Sequence, residues 1–452
     1  MSATIQPLDT EVAETQGDYP AAGYAWYVVG VLYLAYVLSF VDRQILAFMV
    51  GPIRADLGIS DFQFSLVHGM AFVVFYSVLG IPIARLADRS SRRAIVTVGV
   101  GLWSIMTAMC GLANTFLHLF LARLGVGVGE ASLSPSAVSL IADYFPREKR
   151  TLPINIYSAG VHGGAGLANI FGGLIVAATM ASGTQSVALL GEMHPWQVAF
   201  LIVGLPGLAV SLLMLTIKEP ARRERRTAVG MVSFSETLQY LKRHWLPYAS
   251  MMLGAAFATL ASYGAFSWVP ATYARVYGWS SAEIGLSFGL ITIVCGTGGL
   301  LLSGMITGIM NRKGRPASHL WMMAVCMAGA VPSAALMMAV HNPYWTLLCL
   351  SFLVFFMSAP IGLVQAALQA ITPNEMRAQM LAIYLLVATI VGGGFGPSTV
   401  AAMTDYYFHN DASVGASIAT VAAVAAALSV LVLSLGMKAY RDMVHTVQGD
   451  EK

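Results

Sequence analysis

Long apolar runs separated by short clusters of charge set the architecture of this chain. Runs of about 20 or more mostly apolar residues recur along it, each long enough to cross ~30 Å of hydrocarbon as a helix. The pattern predicts twelve spans, near 24–50, 62–87, 93–113, 115–142, 151–180, 196–217, 246–275, 281–309, 317–340, 344–370, 376–403 and 414–440. Only helices or a closed barrel satisfy the backbone in lipid, and the two-residue alternation of barrel strands is absent. The reading is an all-α integral membrane protein. Its expected divisions are a cytoplasmic tail over 1–23, a six-helix bundle over 24–217, and a basic linker over 218–245. A second six-helix bundle over 246–440 and a C-terminal tail over 441–452 complete it.

Lys and Arg give the orientation. With the N-terminus inside, the cytoplasmic connections hold Arg85, Arg89, Arg92, Arg93, Arg147, Lys149 and Arg150 in the first half. The linker adds Lys218, Arg222, Arg223, Arg225, Arg226, Lys242 and Arg243, and the second half Arg312, Lys313, Arg315 and Arg377. Only Arg54 and Arg275 fall outside, so both termini are expected in the cytoplasm. Residues 1–20 are acidic, without the basic n-region of a signal peptide. The linker opens with KEPARRERR, and Ser233 with Glu236 forms a capping-box pattern for a short helix at the membrane surface. A basic tether is the plain reading of this segment, and lipid-headgroup binding the alternative.

Composition agrees with the spans and excludes other classes. Hydrophobic residues make up 57% and charged ones 10%, against roughly 25% charge in a soluble domain. A net charge of +3 gives no case for nucleic acid. Cys110, Cys295, Cys326 and Cys349 lie in apolar runs without metal-ligand spacing and read as small core residues. No GxxxxGK[ST] loop is present, so no nucleotide cofactor is expected and energy would come from a gradient.

The halves repeat each other. PREKRTLPINIY at 146–157 matches PNEMRAQMLAIY at 373–384 without gaps at an offset of 227, pairing Pro146 with Pro373, Arg150 with Arg377 and Tyr157 with Tyr384. LADRSSRR at 86–93 and IMNRKGRP at 309–316 recur at an offset of 223. Parallel duplication of a six-helix unit suits a carrier whose halves rock about a central site.

Four ionisable groups stand where the membrane makes them costly. Asp42 and Arg43 sit within the first span, and Arg123 and Glu130 in the fourth, seven residues and so about 10 Å apart on one face. Each costs at least ~2.5–3.5 kcal/mol near the bilayer centre, which implies mutual pairing. Burial disfavours a charged carboxylate and a nearby arginine favours it. An arginine that changes partners would therefore make Glu130, or Asp42, bind and release a proton, with Arg43 and Arg123 as partners and as contacts for a substrate headgroup. A fixed polar tie between helices 1 and 4 is the alternative. At the 227 offset Arg123 becomes Leu350 and Glu130 becomes Met357. The second half instead offers Tyr263, Trp268, Phe352, Phe355 and Phe356, with Gln365 and Gln369 as mild polar points. One charged and one greasy wall suit an amphiphile. His68 and His162 are weaker titratable candidates, and Gly392, Gly393, Gly394, Gly396 and Pro397 should make helix 11 bendable.

ARLADRSSRR at 84–93 resembles the loop between helices 2 and 3 of the major facilitator superfamily, although Ala84 and Ser91 replace its two glycines. Arg123 in RLGVGVGE is similar to that superfamily's helix 4 arginine motif. GAGLANIFGG at 164–173 only partly resembles the antiporter motif of helix 5, with Asn169 in place of proline, and reads as helix packing. SFVDRQIL at 39–46, GEASLSPSAVSLIADYFPREKR at 129–150 and GGGFGPSTVAAMTD at 392–405 resemble the spinster branch. The resemblance implies the twelve-helix major facilitator fold, helices 1 and 4 lining a central cavity, and lysophospholipid or sphingoid substrates. It further implies a cytoplasmic gate in which Asp88, with Arg89, Arg92 and Arg93, bridges to helix 11, while Asp143, Arg147 and Arg150 make inter-helix charge contacts. The expected function is proton-coupled transport of an amphiphilic, lipid-like substrate by a monomer in the bilayer. Alternatives are a carrier of small organic anions or drug-like amphiphiles, a membrane-embedded enzyme, and a non-transporting receptor.

Overall fold

A computed structural model describes residues 19–146, 148–187, 190–222, 232–315 and 317–450, excluding the side chains of 88 and 448–450. Twelve helices are long and apolar enough to span a bilayer. In chain order they are α1 (Ala22–Phe48), α2 (Asp61–Ala87), α3 (Arg92–Cys110), α4 (Phe116–Tyr144), α5 (Thr151–Ser182) and α6 (Pro195–Met214). The second set is α7 (Trp245–Tyr277), α8 (Ser281–Arg312), α9 (Ser318–Ala339), α10 (Pro343–Ile371), α11 (Arg377–Phe408) and α12 (Asp411–Val447). An even number of spans puts both described ends on one side, the termini side; the other is the far side.

The spans begin and end within a few residues of the expected limits, with three departures. The last helix runs on to Asp450, through the expected tail, because Tyr440, Met443 and Val444 still bury apolar surface against the second half. Helix α4 is interrupted after Glu130 and resumes at Leu133. A short antiparallel pair, Gln185–Val187 with Gly191–Met193, joins α5 to α6 on the far side. In the linker, a helix over Phe234–Arg243 begins with the expected capping box, Ser233 Oγ accepting from the Glu236 amide. Arg223, Arg225 and Arg226 lie outside the described residues.

The halves meet along two glycine-lined seams. In α5, Gly164 and Gly172 admit Phe40 and Phe48 of α1, while Gly166 and Gly173 face α8. A Cβ at Gly289 of α8 would stand 2.6 Å from the Gly166 carbonyl oxygen, and one at Gly285 2.9 Å from the Gly173 Cα. Across the other seam, a Cβ at Gly69 of α2 would meet the Gly393 carbonyl oxygen of α11 at 2.6 Å. Only hydrogen fits at such crossings, and small residues are what let helices in lipid approach. Wide π-turns interrupt the seam helices at 66–70 in α2, 292–296 in α8, and 390–395 and 403–408 in α11. The expected bend of helix 11 is the turn over 390–395.

Candidate functional site

The four intramembrane charges come together in the first half. Arg43 Nε donates to Glu130 Oε2 at 2.7 Å, and its Nη2 donates to the same oxygen. Arg123 Nη1 reaches the Asp42 backbone carbonyl at 3.3 Å. Helices α1 and α4 are thus tied twice, once by an ion pair and once through backbone. Phe72 of α2 stands between these ties, its ring centre 4.6 Å from the Arg43 guanidinium carbon and 5.6 Å from that of Arg123. Phe40 and Tyr76 flank Arg43 at 5.3 Å, completing an aromatic enclosure.

The cluster is buried and incompletely satisfied. Asp42, Arg123 and Glu130 are buried, while the Arg43 side chain keeps 21% of its exposure. Among the described residues, Asp42 Oδ1, Glu130 Oε1 and Arg123 Nε find no hydrogen-bond partner, nor does His68 Nδ1 in the α2 π-turn. Buried orphans of this kind are costly and concentrate at functional positions. His162 lies against the α8 π-turn, where a Cβ at Gly296 would meet its ring at 2.7 Å.

The aromatic residues expected on the opposite wall divide into two groups. Tyr263 is 42% exposed midway along α7, in the field of Arg43 and Glu130. Phe352 is exposed as well, Gln365 is half-buried and Gln369 exposed. Trp268, by contrast, belongs to the core: it is buried and its Nε1 donates to the Pro397 carbonyl of α11 at 2.9 Å. Phe355 and Phe356 fill space left by glycines, Phe355 beside Gly298 and Gly299 of α8 and Phe356 against Gly329 of α9. Trp268 also packs edge-on against Phe64 of α2, while Phe355 and Phe356 are half-buried. Tyr36, at the 227 offset from Tyr263, stacks on Tyr157 at 4.8 Å, and Tyr157 and its repeat Tyr384 are both buried. The repeat therefore keeps these tyrosines where it drops the charges.

On the termini side, the charge motif clamps the first half to itself. Arg92 pairs with Asp143 of α4 and, at 2.9 Å, with Glu219 just after α6. Glu219 also accepts from Ser91 Oγ and the Arg93 amide. Burial opposes its ionisation, but the Arg93 amide, Arg92 and Ser91 outweigh that and hold its carboxyl below the ordinary range. Arg93 donates to the Ile217 carbonyl, Arg150 to that of Phe145, and Arg89 is exposed. The Asp88 side chain and Arg147 lie outside the described residues.

The far side carries the contacts that join the halves. Asp61, fully buried at the start of α2, accepts from Arg275 of α7 at 2.6 and 2.7 Å and lies 3.0 Å from Arg54. Arg54 also reaches Asp411 at 2.6 Å, and Asp405 accepts from the Phe62 amide at 2.8 Å. The Asp61, Asp405 and Asp411 carboxylates come within 4.8 Å of one another, with Arg54 and Arg275 supplying the compensating charge. Sequence reasoning passed over this latch and over Glu219. Its one trace is that Arg54 and Arg275 are the only Lys or Arg in the far-side connections.

The model of the Major Facilitator Superfamily matches residues 32–397. The chain belongs to that superfamily. Among proteins similar to it is an MFS-type efflux pump of Mycolicibacterium smegmatis, 29% identical over 410 residues, covering 90% of this chain and 89% of that protein. Protein spinster homolog 1 of Xenopus laevis is 28% identical over 403 residues, covering 84% and 72%. The crystal structure of a bacterial homologue of the human lysosomal transporter spinster, inward-facing and unoccupied, matches with a TM-score of 0.80. Identity there is 28%, over 95% of this chain and 99% of that one. The protein is a multi-pass major facilitator transporter that resembles the spinster type, and not an enzyme. In such a carrier the charged cluster lies between two seams whose described inter-half ion pairs all sit on the far side.

Proposed function

We propose that this transporter is proton-coupled and moves an amphiphilic, lipid-like molecule of lysophospholipid or sphingoid type by rocking of its two halves. The observation that carries the reading is the Arg43–Glu130 pair, which leaves Glu130 Oε1 and Asp42 Oδ1 buried without partners. A proton on Glu130 would release Arg43, and the aromatic enclosure of Phe40, Phe72 and Tyr76 would hold the freed guanidinium for a substrate headgroup. Asp42 is the second proton site in this scheme. Tyr263, exposed opposite the pair in a half without matching charges, gives the substrate its less polar contact. The spinster resemblance supports the lipid class. The Lys and Arg distribution supports cytoplasmic termini, so that the far-side latch closes the external face. A monomer suffices, because each half supplies the other's seam.

One observation favours a second reading, transport of a small organic anion: Arg123 is buried with its Nε unpartnered. Liposomes separate the two. Under an imposed pH gradient, wild type should drive a labelled lysolipid or sphingoid lipid, and Glu130→Gln should only equilibrate it or stall. Equal gradient-driven transport by both would remove Glu130 from the coupling. Movement of small carboxylates but of no lipid by wild type would replace the lipid reading with the anion one.

A further inference from the structure

The linker helix Phe234–Arg243 has three faces. Thr237 is buried, and Tyr240 and Leu241 pack on the second half. Next round the helical wheel come Phe234 and Leu238, 61% and 37% exposed, then the exposed Lys242, with the exposed Arg243 further round beside the capping Glu236. Trp245, which opens α7 directly afterwards, is 63% exposed. Protein, apolar stripe and cations in that order are what a helix needs when it lies along the bilayer surface where α7 enters it.

Beneath this helix, at the ends of α7 and α12, lies a cavity of about 750 Å³. Its walls include Arg243, His244, Trp245, Pro247, Pro373 and Met443. Asp442 is the one carboxylate in the wall, and Arg441 stands 3.5 Å from it. The first half has a counterpart of about 710 Å³ beside Pro146, the repeat partner of Pro373, also with a tryptophan, Trp26. There Glu148 and Lys149 balance each other. The two cavities are alike in volume and lie beside matching prolines, and among the described residues the second has a neighbouring helix that carries Lys242 and Arg243.

We propose that the second-half cavity binds the headgroup of an anionic phospholipid from the termini-side leaflet, with its acyl chains over Phe234, Leu238 and Trp245. Lys242 and Arg243 supply the attraction, and the exposed apolar stripe places the chains in lipid. The helix is also joined to moving parts. Gln379 of α11 donates to the Val232 carbonyl at 2.9 Å, and Tyr240 to that of Ile371 at 3.4 Å. Lipid held here is therefore linked to a seam helix.

The test is lipid retention by the full-length protein, read by native mass spectrometry with phosphatidylglycerol and phosphatidylcholine in competition. Wild type should retain phosphatidylglycerol preferentially. Lys242→Gln/Arg243→Gln should weaken that retention on the order of 30-fold, from about fivefold per cation near a membrane surface. Lys149→Gln, at the matching first-half cavity, should leave it unchanged. Brominated phosphatidylglycerol should quench tryptophan emission more than brominated phosphatidylcholine, and Trp245→Phe should abolish the difference. Undiminished retention by the double variant overturns the site, as does an equal loss in Lys149→Gln, which would mean general attraction to basic loops. Displacement of the lipid by millimolar inorganic phosphate would replace the lipid with a free anion.

Discussion

Replacing Asp61 by Asn should unlatch the far side. Asp61 is fully buried and bridges the halves, accepting two hydrogen bonds from Arg275 while lying 3.0 Å from Arg54. Removing one member of a buried ion pair costs about 3–5 kcal/mol, because the other charge is left uncompensated. Here the cost is smaller. The Arg275 side chain keeps 15% of its exposure and can take up water, Arg54 retains Asp411, and Asn still accepts a hydrogen bond. About 2–3 kcal/mol is the working figure, a factor of about 30–150 in an equilibrium. In the proposed rocking, opening the far side would break the Asp61–Arg275 pair, so the loss falls on the balance between states. A closed-to-open ratio of about 100 would drop to near unity. Spin labels at Asn114 and Asn410, on a background lacking the four native cysteines, would report it as a second, longer far-side distance. An unchanged distance distribution in Asp61→Asn would show that the seams alone hold this side closed.

Two further substitutions probe the seam and the clamp. Gly289→Ala places a Cβ 2.6 Å from the Gly166 carbonyl oxygen, a backbone atom that cannot swing away. It should cost about 1–3 kcal/mol and shift the same label distances in the same direction as Asp61→Asn. Glu219→Gln weakens the termini-side clamp by about 1 kcal/mol, a low value because the group is part-exposed. Since the Glu219 carboxyl is held below its ordinary range, its contribution is fully present above that range and is lost as pH falls below it, through the lowered folded-state value. Thermal unfolding in detergent should therefore separate variant from wild type at pH 7, with the gap narrowing only as the pH falls below the ordinary carboxylate range.

The spans were legible because lipid demands one simple pattern, a run of apolar residues of fixed length. The pairing of α1 with α4 was legible for the complementary reason, that four charges inside such runs must find each other. Aromatic residues carried no such signal. On a helix that is apolar all round, nothing local distinguishes a ring facing lipid, core or cavity, so the sequence alone does not separate the buried Trp268 from the half-buried Phe355 and Phe356. A better clue lies on other helices: the Phe355 ring lies beside Gly298, and the Phe356 ring fills the space a side chain at Gly329 would take. The far-side latch stayed hidden because Asp61, Asp405 and Asp411 are distant in sequence and acquire meaning only when the halves dock.

Docking also shows how charge movement at one site can reach the seams. Gly69, in the α2 π-turn, touches α11 across the seam, and Phe72 follows three residues on. Its ring contacts both arginines, and its backbone is fixed against α4, where a Cβ at Gly127 would stand 2.5 Å from the Phe72 carbonyl oxygen. One helical turn thus joins the inter-half contact to the charged cluster. A π-turn carries a break in the regular hydrogen-bond ladder, so it can tighten or widen while the rest of the helix stays intact. Such turns occur in α2, α8 and α11, three of the four seam helices. If Arg43 leaves Glu130, the face of Phe72 that it occupied changes its load, and α2 can answer at the turn just before that residue. Under the proposed coupling, one half alone needs this arrangement: both halves supply matching seam surfaces, and a single charged cluster would suffice to bias them.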